Sequence, residues 1–302
     1  MTSDVLPTER PVGVPYHRVL ADGERRIGRG IAALALLLGG LLGFAGALGA
    51  LGAAIDAALG RTSIVAGGTE FTPVLQASTL LPVALLLPWS MLIQRWLYGV
   101  RGASLHSVAY RFRFDVFGRA LFVVGPIWVV YITALVLLSP SGQAAWAVAD
   151  LLAMFVVVLL LTPLQAAAEE YGFRGLAFRV AASWGRGPRT ALALGVGVSS
   201  LLFALVHFST DPWLNLYYLT FGVSLALITW RTGGVETAVV IHAVNNTLLF
   251  LLALVLHADL TDAFDRSAGA GSIGMLVPCA VLAATTAVVW LRTRGRGPAL
   301  TA

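Results

Sequence analysis

Glu169, Glu170, Arg174, His207, His242 and Asn246 are the residues whose types and spacing could do chemistry, and all six interrupt or border long apolar runs. A charged group in or near hydrocarbon costs about 2.5–3.5 kcal/mol on insertion scales, so each marks a functional-site candidate whose partner should be sought. Arg174 is four residues after Glu170, so the two can pair on one helix face. That pairing would hold one carboxylate ionised and leave the other free to exchange a proton. His242 and Asn246 are also four apart and project from one face toward a common point. Taken one at a time these residues have plainer readings, since a lone intramembrane His or Asn often serves only as a hydrogen-bonding contact between helices.

The elements that must position them are membrane helices. In a chain of 302 residues, 58% hydrophobic and only 12% charged, the composition is that of an all-α polytopic membrane domain rather than a soluble globule. Spanning a bilayer takes about 20 apolar residues, which predicts helices near 31–57, 74–97, 120–139, 144–168, 190–208, 213–230, 235–256 and 272–291, about eight spans. Arginine placement orients them. With both termini inside, eighteen of the twenty Arg residues fall on the cytoplasmic side and only Arg61 and Arg266 fall outside, as retained basic loops require. This makes the chain a multi-pass protein of a cell membrane, bacterial inner or plasma membrane in type.

Residues 1–30 read as a disordered cytoplasmic arm with no cleavable signal, residues 31–292 as the transmembrane domain and residues 293–302 as a cytoplasmic tail. Gly43, Gly46, Gly49 and Gly52 would let the first helix approach a neighbour closely. Arg101 to Arg119, interleaved with aromatic residues, reads as a segment lying on the inner leaflet rather than as a nucleic-acid surface. The single Cys279 excludes a disulfide framework. No internal repeat divides the chain.

The turn at Ser183–Arg189 joins the fourth and fifth helices, and positions 169 and 207 are symmetric about Pro188. If the fourth helix continues past Glu169 to about Ala182, a hairpin brings Glu169 level with His207. Hydropathy alone puts these two at opposite ends of their spans. Such a helix would be about 58 Å long against a bilayer of about 30 Å, so it must project, tilt or bend, with Pro163 the expected bend. The site would then lie in a water-accessible chamber in the cytoplasmic half of the membrane.

Glu-Glu-x-x-x-Arg at 169–174, Phe-x-x-x-His at 203–207 and His-x-x-x-Asn at 242–246, in this order on successive late spans, resembles the CAAX-protease and bacteriocin-processing (CPBP, ABI) family, similar to the type II CAAX prenyl endopeptidase. The family-like region covers about 120–256. The resemblance implies an intramembrane endopeptidase in which Glu169 is the general base on a water, with His207, His242 and Asn246 in the same cavity and Glu170 and Arg174 supporting. Peptide hydrolysis by water needs a base, an oxyanion stabiliser and an acid for the leaving amine. Glu169 suits the base, His207 would orient the water, and His242 and Asn246 can donate to the oxyanion.

These residues favour a site without a metal cofactor. If a divalent metal such as zinc is bound, Glu169, His207 and His242 are its ligands. The expected partners are membrane lipids and a membrane-associated protein or peptide substrate, with no nucleic acid. Two other functions fit part of the pattern. A non-catalytic scaffold or immunity factor would keep the fold and act by binding. A proton-coupled transporter would use the same Glu and His as a relay, but would also show inverted repeats, which are not found.

Overall fold

The computed structural model describes residues 12–21, 25–138, 142–261 and 265–302. Among these there is no β-strand, only isolated bridges, and eight helices are long and apolar enough to cross a membrane. The chain is a multi-pass, all-helical membrane protein. Its helices are α1 (Ile27–Ala58), α2 (Pro73–Ala84), α3 (Leu86–Tyr98), α4 (Phe114–Leu138), α5 (Val148–Glu169), α6 (Phe178–Ser183), α7 (Pro188–Leu205), α8 (Pro212–Thr232), α9 (Glu236–Val255) and α10 (Leu276–Thr293). A π-helical segment, Glu170–Ala177, joins α5 to α6, so the fourth span runs unbroken from Val148 to Ser183 over 36 residues.

The second span is instead split at Leu85, between α2 and α3. Pro88 lies in the first turn of α3 and has no N–H, and its ring would clash with the carbonyl of Ala84 four residues back. In α1, a methyl added at Gly52 would collide with Ser78 and one at Gly40 with the Trp89 indole, so these glycines let α2 and α3 close on α1. Gly43, Gly46 and Gly49 face open space instead, so the small-residue pattern is only partly a packing device.

The fourth span has an apolar half facing outward, with Leu152, Val156, Leu159, Leu160 and Leu164 exposed, and a second half from Ala168 to Ser183 that is buried throughout. Hydropathy places the end near residue 168 because Arg174 and Arg179 follow. The helix continues because both arginines are buried in protein rather than in lipid. Around this half pack α1, α3, α7 and α8, while α9 lies between α4 and α5.

The N-terminal arm is not wholly disordered. Residues 1–11 and 22–24 lie outside the described residues, but residues 12–21 dock on the bundle. Tyr16 is fully buried, its hydroxyl donates to the Leu105 carbonyl at 2.6 Å, and its ring lies 3.8 Å from the Arg179 guanidinium. Arg179 in turn donates to the Ser104 hydroxyl at 2.9 Å and the Ser104 carbonyl at 2.7 Å. The overall polarity of residues 1–30 hid a short apolar set, Val14, Tyr16, Val19 and Leu20, that suffices for docking. The C-terminal tail is packed as well: Gly13 donates to the Thr301 carbonyl and the Thr301 amide to the Val14 carbonyl, both at 2.9 Å, so the two ends meet on one side of the bundle. Tyr16→Ala removes a buried aromatic anchor and is expected to cost about 3–5 kcal/mol. Chemical unfolding of the detergent-solubilised protein measures it.

The segment from 101 to 113, expected to lie on the inner leaflet, is partly folded into the bundle. Residues Gly102–Leu105 form a 3-10 turn, after which the chain pairs with residues 233–235 at the start of α9. Arg113 closes a bidentate pair with Glu236, Nε to Oε1 at 2.9 Å and Nη2 to Oε2 at 2.7 Å, and the Glu236 side chain is fully buried. The basic character that suggested lipid contact is thus used in part to neutralise a buried carboxylate.

Candidate active site

Glu169 ends α5 and Glu170 opens the π-helical segment, and both carboxylates reach the imidazole of His242 on α9. His242 Nδ1 is 2.7 Å from Glu170 Oε1, and Nε2 is 3.4 Å from Glu169 Oε2. Neighbouring residues on a regular helix point about 100° apart. Here one ring stands between the two side chains and meets each with a different nitrogen. π-Helical turns recur at functional sites in other proteins.

The two carboxylates are not equivalent. Glu170 is fully buried and is held by His242 on one side and by Arg174 on the other, with Arg174 Nη1 3.1 Å from Glu170 Oε1. That contact is a charge pair whose N–H direction misses the oxygen, so no hydrogen bond forms between them. Arg174 is instead seated over the Phe203 ring at 4.0 Å, a cation–π contact inside the protein. Glu169 has no such counter-ion and retains an open edge, its side chain being 11% exposed. The reason to single out Glu169 is therefore accessibility together with a free face, rather than its depth relative to His207.

His207 follows directly on the end of α7. Its Nδ1 lies 2.7 Å from the Phe203 carbonyl, and because a carbonyl can only accept, Nδ1 carries the proton. The Nε2 lone pair is left free. The ring stacks on Tyr218 with centroids 3.9 Å apart. Burial pushes the His207 imidazole down to about 4, against the opposing pull of the Phe203 carbonyl. An unperturbed imidazole would gain its proton between about pH 5 and 8. Histidine 15N NMR of the labelled protein should show His207 neutral and Nδ1-protonated down to about pH 5; a midpoint near 6.5 would contradict this geometry.

Of the six residues singled out in the sequence, Glu169, Glu170, Arg174 and His242 touch one another. His207 joins them through Phe203, whose ring packs against His207 at 4.8 Å and His242 at 6.1 Å as well as under Arg174. Asn246 joins through Gln165, to whose side-chain oxygen its Nδ2 donates at 3.4 Å. Sequence reasoning missed Gln165, Tyr217 and Tyr218. Gln165 carried a signal, being a polar residue one turn before Glu169. The two tyrosines carried none, because α8 holds no charged residue before Arg231.

Among the described residues no three His, Cys, Asp or Glu side chains are gathered as a metal-ion site. His207 gives its Nδ1 proton to a carbonyl and keeps Nε2 free, while the two His242 nitrogens face the two carboxylates.

The region carrying this site has known counterparts. An uncharacterized protein of Bacillus subtilis (strain 168), YyaK, is 33% identical over 102 residues, which are 32% of this chain and 33% of that protein. The alignment therefore spans about a third of the relative's length. No solved structure matches the chain. Residues 147–248 match the family model described as "Type II CAAX prenyl endopeptidase Rce1-like", and all six motif residues fall inside that range. The stretch 147–248, about a third of the chain, which positions Glu169, His207 and His242, is thus similar to the Rce1-like domain of type II CAAX prenyl endopeptidases.

Proposed function

We propose that this protein is an intramembrane endopeptidase that hydrolyses peptide bonds of membrane-associated protein or peptide substrates, with water activated by Glu169. The observation that carries the reading is one imidazole between two carboxylates, of which only Glu169 keeps an open edge. With the His242 Nδ1 proton given to Glu170, one further proton is shared between His242 Nε2 and Glu169. Glu169 takes a proton from the attacking water as the new C–O bond forms. His242 Nε2–H and the second N–H of Asn246 stabilise the oxyanion. The tetrahedral centre then collapses, the C–N bond breaks, and Glu169 returns the proton to the leaving amine. His207, neutral with Nε2 free, accepts a hydrogen bond from the water and holds it against Glu169.

The same reading assigns sides and partners. The paired N- and C-terminal segments lie together, and Arg placement puts them in the cytoplasm of a cell with the bundle in its plasma membrane. Membrane lipids surround the exposed leucines, and the substrate reaches the site from a water-accessible cavity.

Comparative peptidomics of membranes carrying the wild-type or the Glu169→Gln protein tests the activity. A cleavage product present only with the wild type is expected, and the absence of any such product would overturn the reading in favour of a non-catalytic membrane scaffold. The donor arrangement also supports hydrolysis without a metal. Cleavage should therefore persist in chelator, with the purified protein holding well below one metal per chain; loss on chelation with rescue by zinc would reverse this.

A further inference from the structure

Arg231 is buried in the last turn of α8 and takes no part in the mechanism above. Its Nε donates to the Thr293 hydroxyl of α10 at 3.0 Å, and its guanidinium lies over the Trp290 ring at 4.7 Å. Nη2 is buried with no hydrogen-bond partner, and among the described residues no carboxylate pairs with this side chain. Arg174 and Arg113, by contrast, meet Glu170 and Glu236. A buried cation without an anion is costly, and a bound anion offsets that cost.

Beside this cation a groove of about 630 Å³ runs between α8 and α10, a size that suits a ligand. Leu219, Val223 and Leu227 form one wall and Ala283, Ala287 and Trp290 the other, so the lining is largely apolar. Arg231 follows Leu227 by one turn on the same face of α8, and Trp290 belongs both to the groove and to the cation contact. From Leu219 to Arg231 the helix rises about 18 Å, close to one leaflet of a hydrocarbon core about 30 Å thick. Tryptophan and arginine at the end of the groove suit the level of the headgroups.

We propose that this groove binds one anionic phospholipid, with its phosphate on the Arg231 guanidinium and an acyl chain between α8 and α10. A planar guanidinium takes phosphate oxygens through paired N–H···O bonds, and basic pockets between membrane helices hold lipid headgroups in this way. The apolar walls select a lipid over free phosphate. The surrounding charge selects an anionic lipid over a zwitterionic one. Arg292, Arg294 and Arg296 are exposed at the same end, and the chain holds no Asp or Glu after Asp265. A choline or ethanolamine cation would thus find no anion on α10 or the tail. Such binding is independent of whether the protein cleaves peptides.

The purified full-length protein, stripped of lipid in detergent, is titrated with dioleoylphosphatidylglycerol or dioleoylphosphatidylcholine, and bound lipid is counted by native mass spectrometry. One phosphatidylglycerol per chain is expected to bind about tenfold to a hundredfold more tightly than phosphatidylcholine, the range for a hydrogen bond to a charged group. Arg231→Gln should abolish that preference. Arg95→Gln, which removes an exposed charge in the last turn of α3, should keep it. Ala287→Phe fills the groove while leaving Arg231 in place, and should weaken phosphatidylglycerol binding even if Arg231→Gln does not fold. Equal binding of the two lipids by the wild type, or an equal loss of preference in Arg95→Gln, overturns the proposal. Displacement of the lipid by inorganic phosphate overturns it as well, because the cation alone would then be the site. A dimer of lipid-free protein that Ala287→Phe disperses would assign the groove to a second copy and overturn it too.

Discussion

Glu169→Gln is expected to lower peptide cleavage by about a hundredfold to ten-thousandfold, the range lost with a general base, while the protein still folds. The side-chain shape is preserved and Gln can still contact His242, so thermal unfolding should move little. What is lost is the ability to take a proton from water and pass it to the amine. Glu170→Gln separates the two carboxylates. Glu170 is enclosed by Arg174 and His242, so its replacement leaves a buried guanidinium without its anion and disturbs stability together with activity. An assay of both variants for cleavage and for unfolding distinguishes them. Equal loss of activity with equal stability in the two would contradict the division of roles.

Arg174→Leu is expected to carry the largest cost in stability, about 3–5 kcal/mol, because removing one partner of a buried ion pair leaves the other charge uncompensated. Arg174 and Glu170 are both fully buried, at 0% side-chain exposure. Lys is not an adequate substitute, since it lacks the planar guanidinium that lies over Phe203 at 4.0 Å. The double variant Glu170→Gln with Arg174→Leu should recover part of the loss by removing both charges. Unfolding of the solubilised protein in denaturant measures all three, and additive losses in the double variant would show that the two side chains do not act as a pair.

The chain wrote its transmembrane layout plainly, because about 20 consecutive apolar residues are hard to disguise. Predicted spans such as 74–97 and 272–291 fall close to Pro73–Tyr98 and Ile273–Thr293. The fourth span defeated hydropathy, since a hydropathy profile assumes lipid around a helix and residues 168–183 are surrounded by protein. The hairpin symmetry about Pro188 corrected this, because the turn geometry does not depend on what surrounds the helix. The docked arm escaped for a related reason: Tyr16 pairs with Arg179, 163 positions away by the numbering, and no local pattern reports a contact of that range.

For the candidate site, the sequence by itself singled out the side chains. Glu169, Glu170, Arg174, His207, His242 and Asn246 stand out because charge and hydrogen-bonding groups are expensive among apolar residues, and their order on successive helices carries the family resemblance. The resemblance already gave Glu169 the base role and Glu170 a supporting one, and the tertiary structure adds how the two differ in enclosure. Adjacent helical residues differ in direction by about 100°, and which of them is enclosed depends on where α9 places His242 and on where α7 places Phe203 beneath Arg174. The π-helical segment at 170–177 and the contact of Asn246 with Gln165 were decided there too. Both depend on how α4, α5 and α9 pack, and the spacing of residues along the chain does not encode that packing.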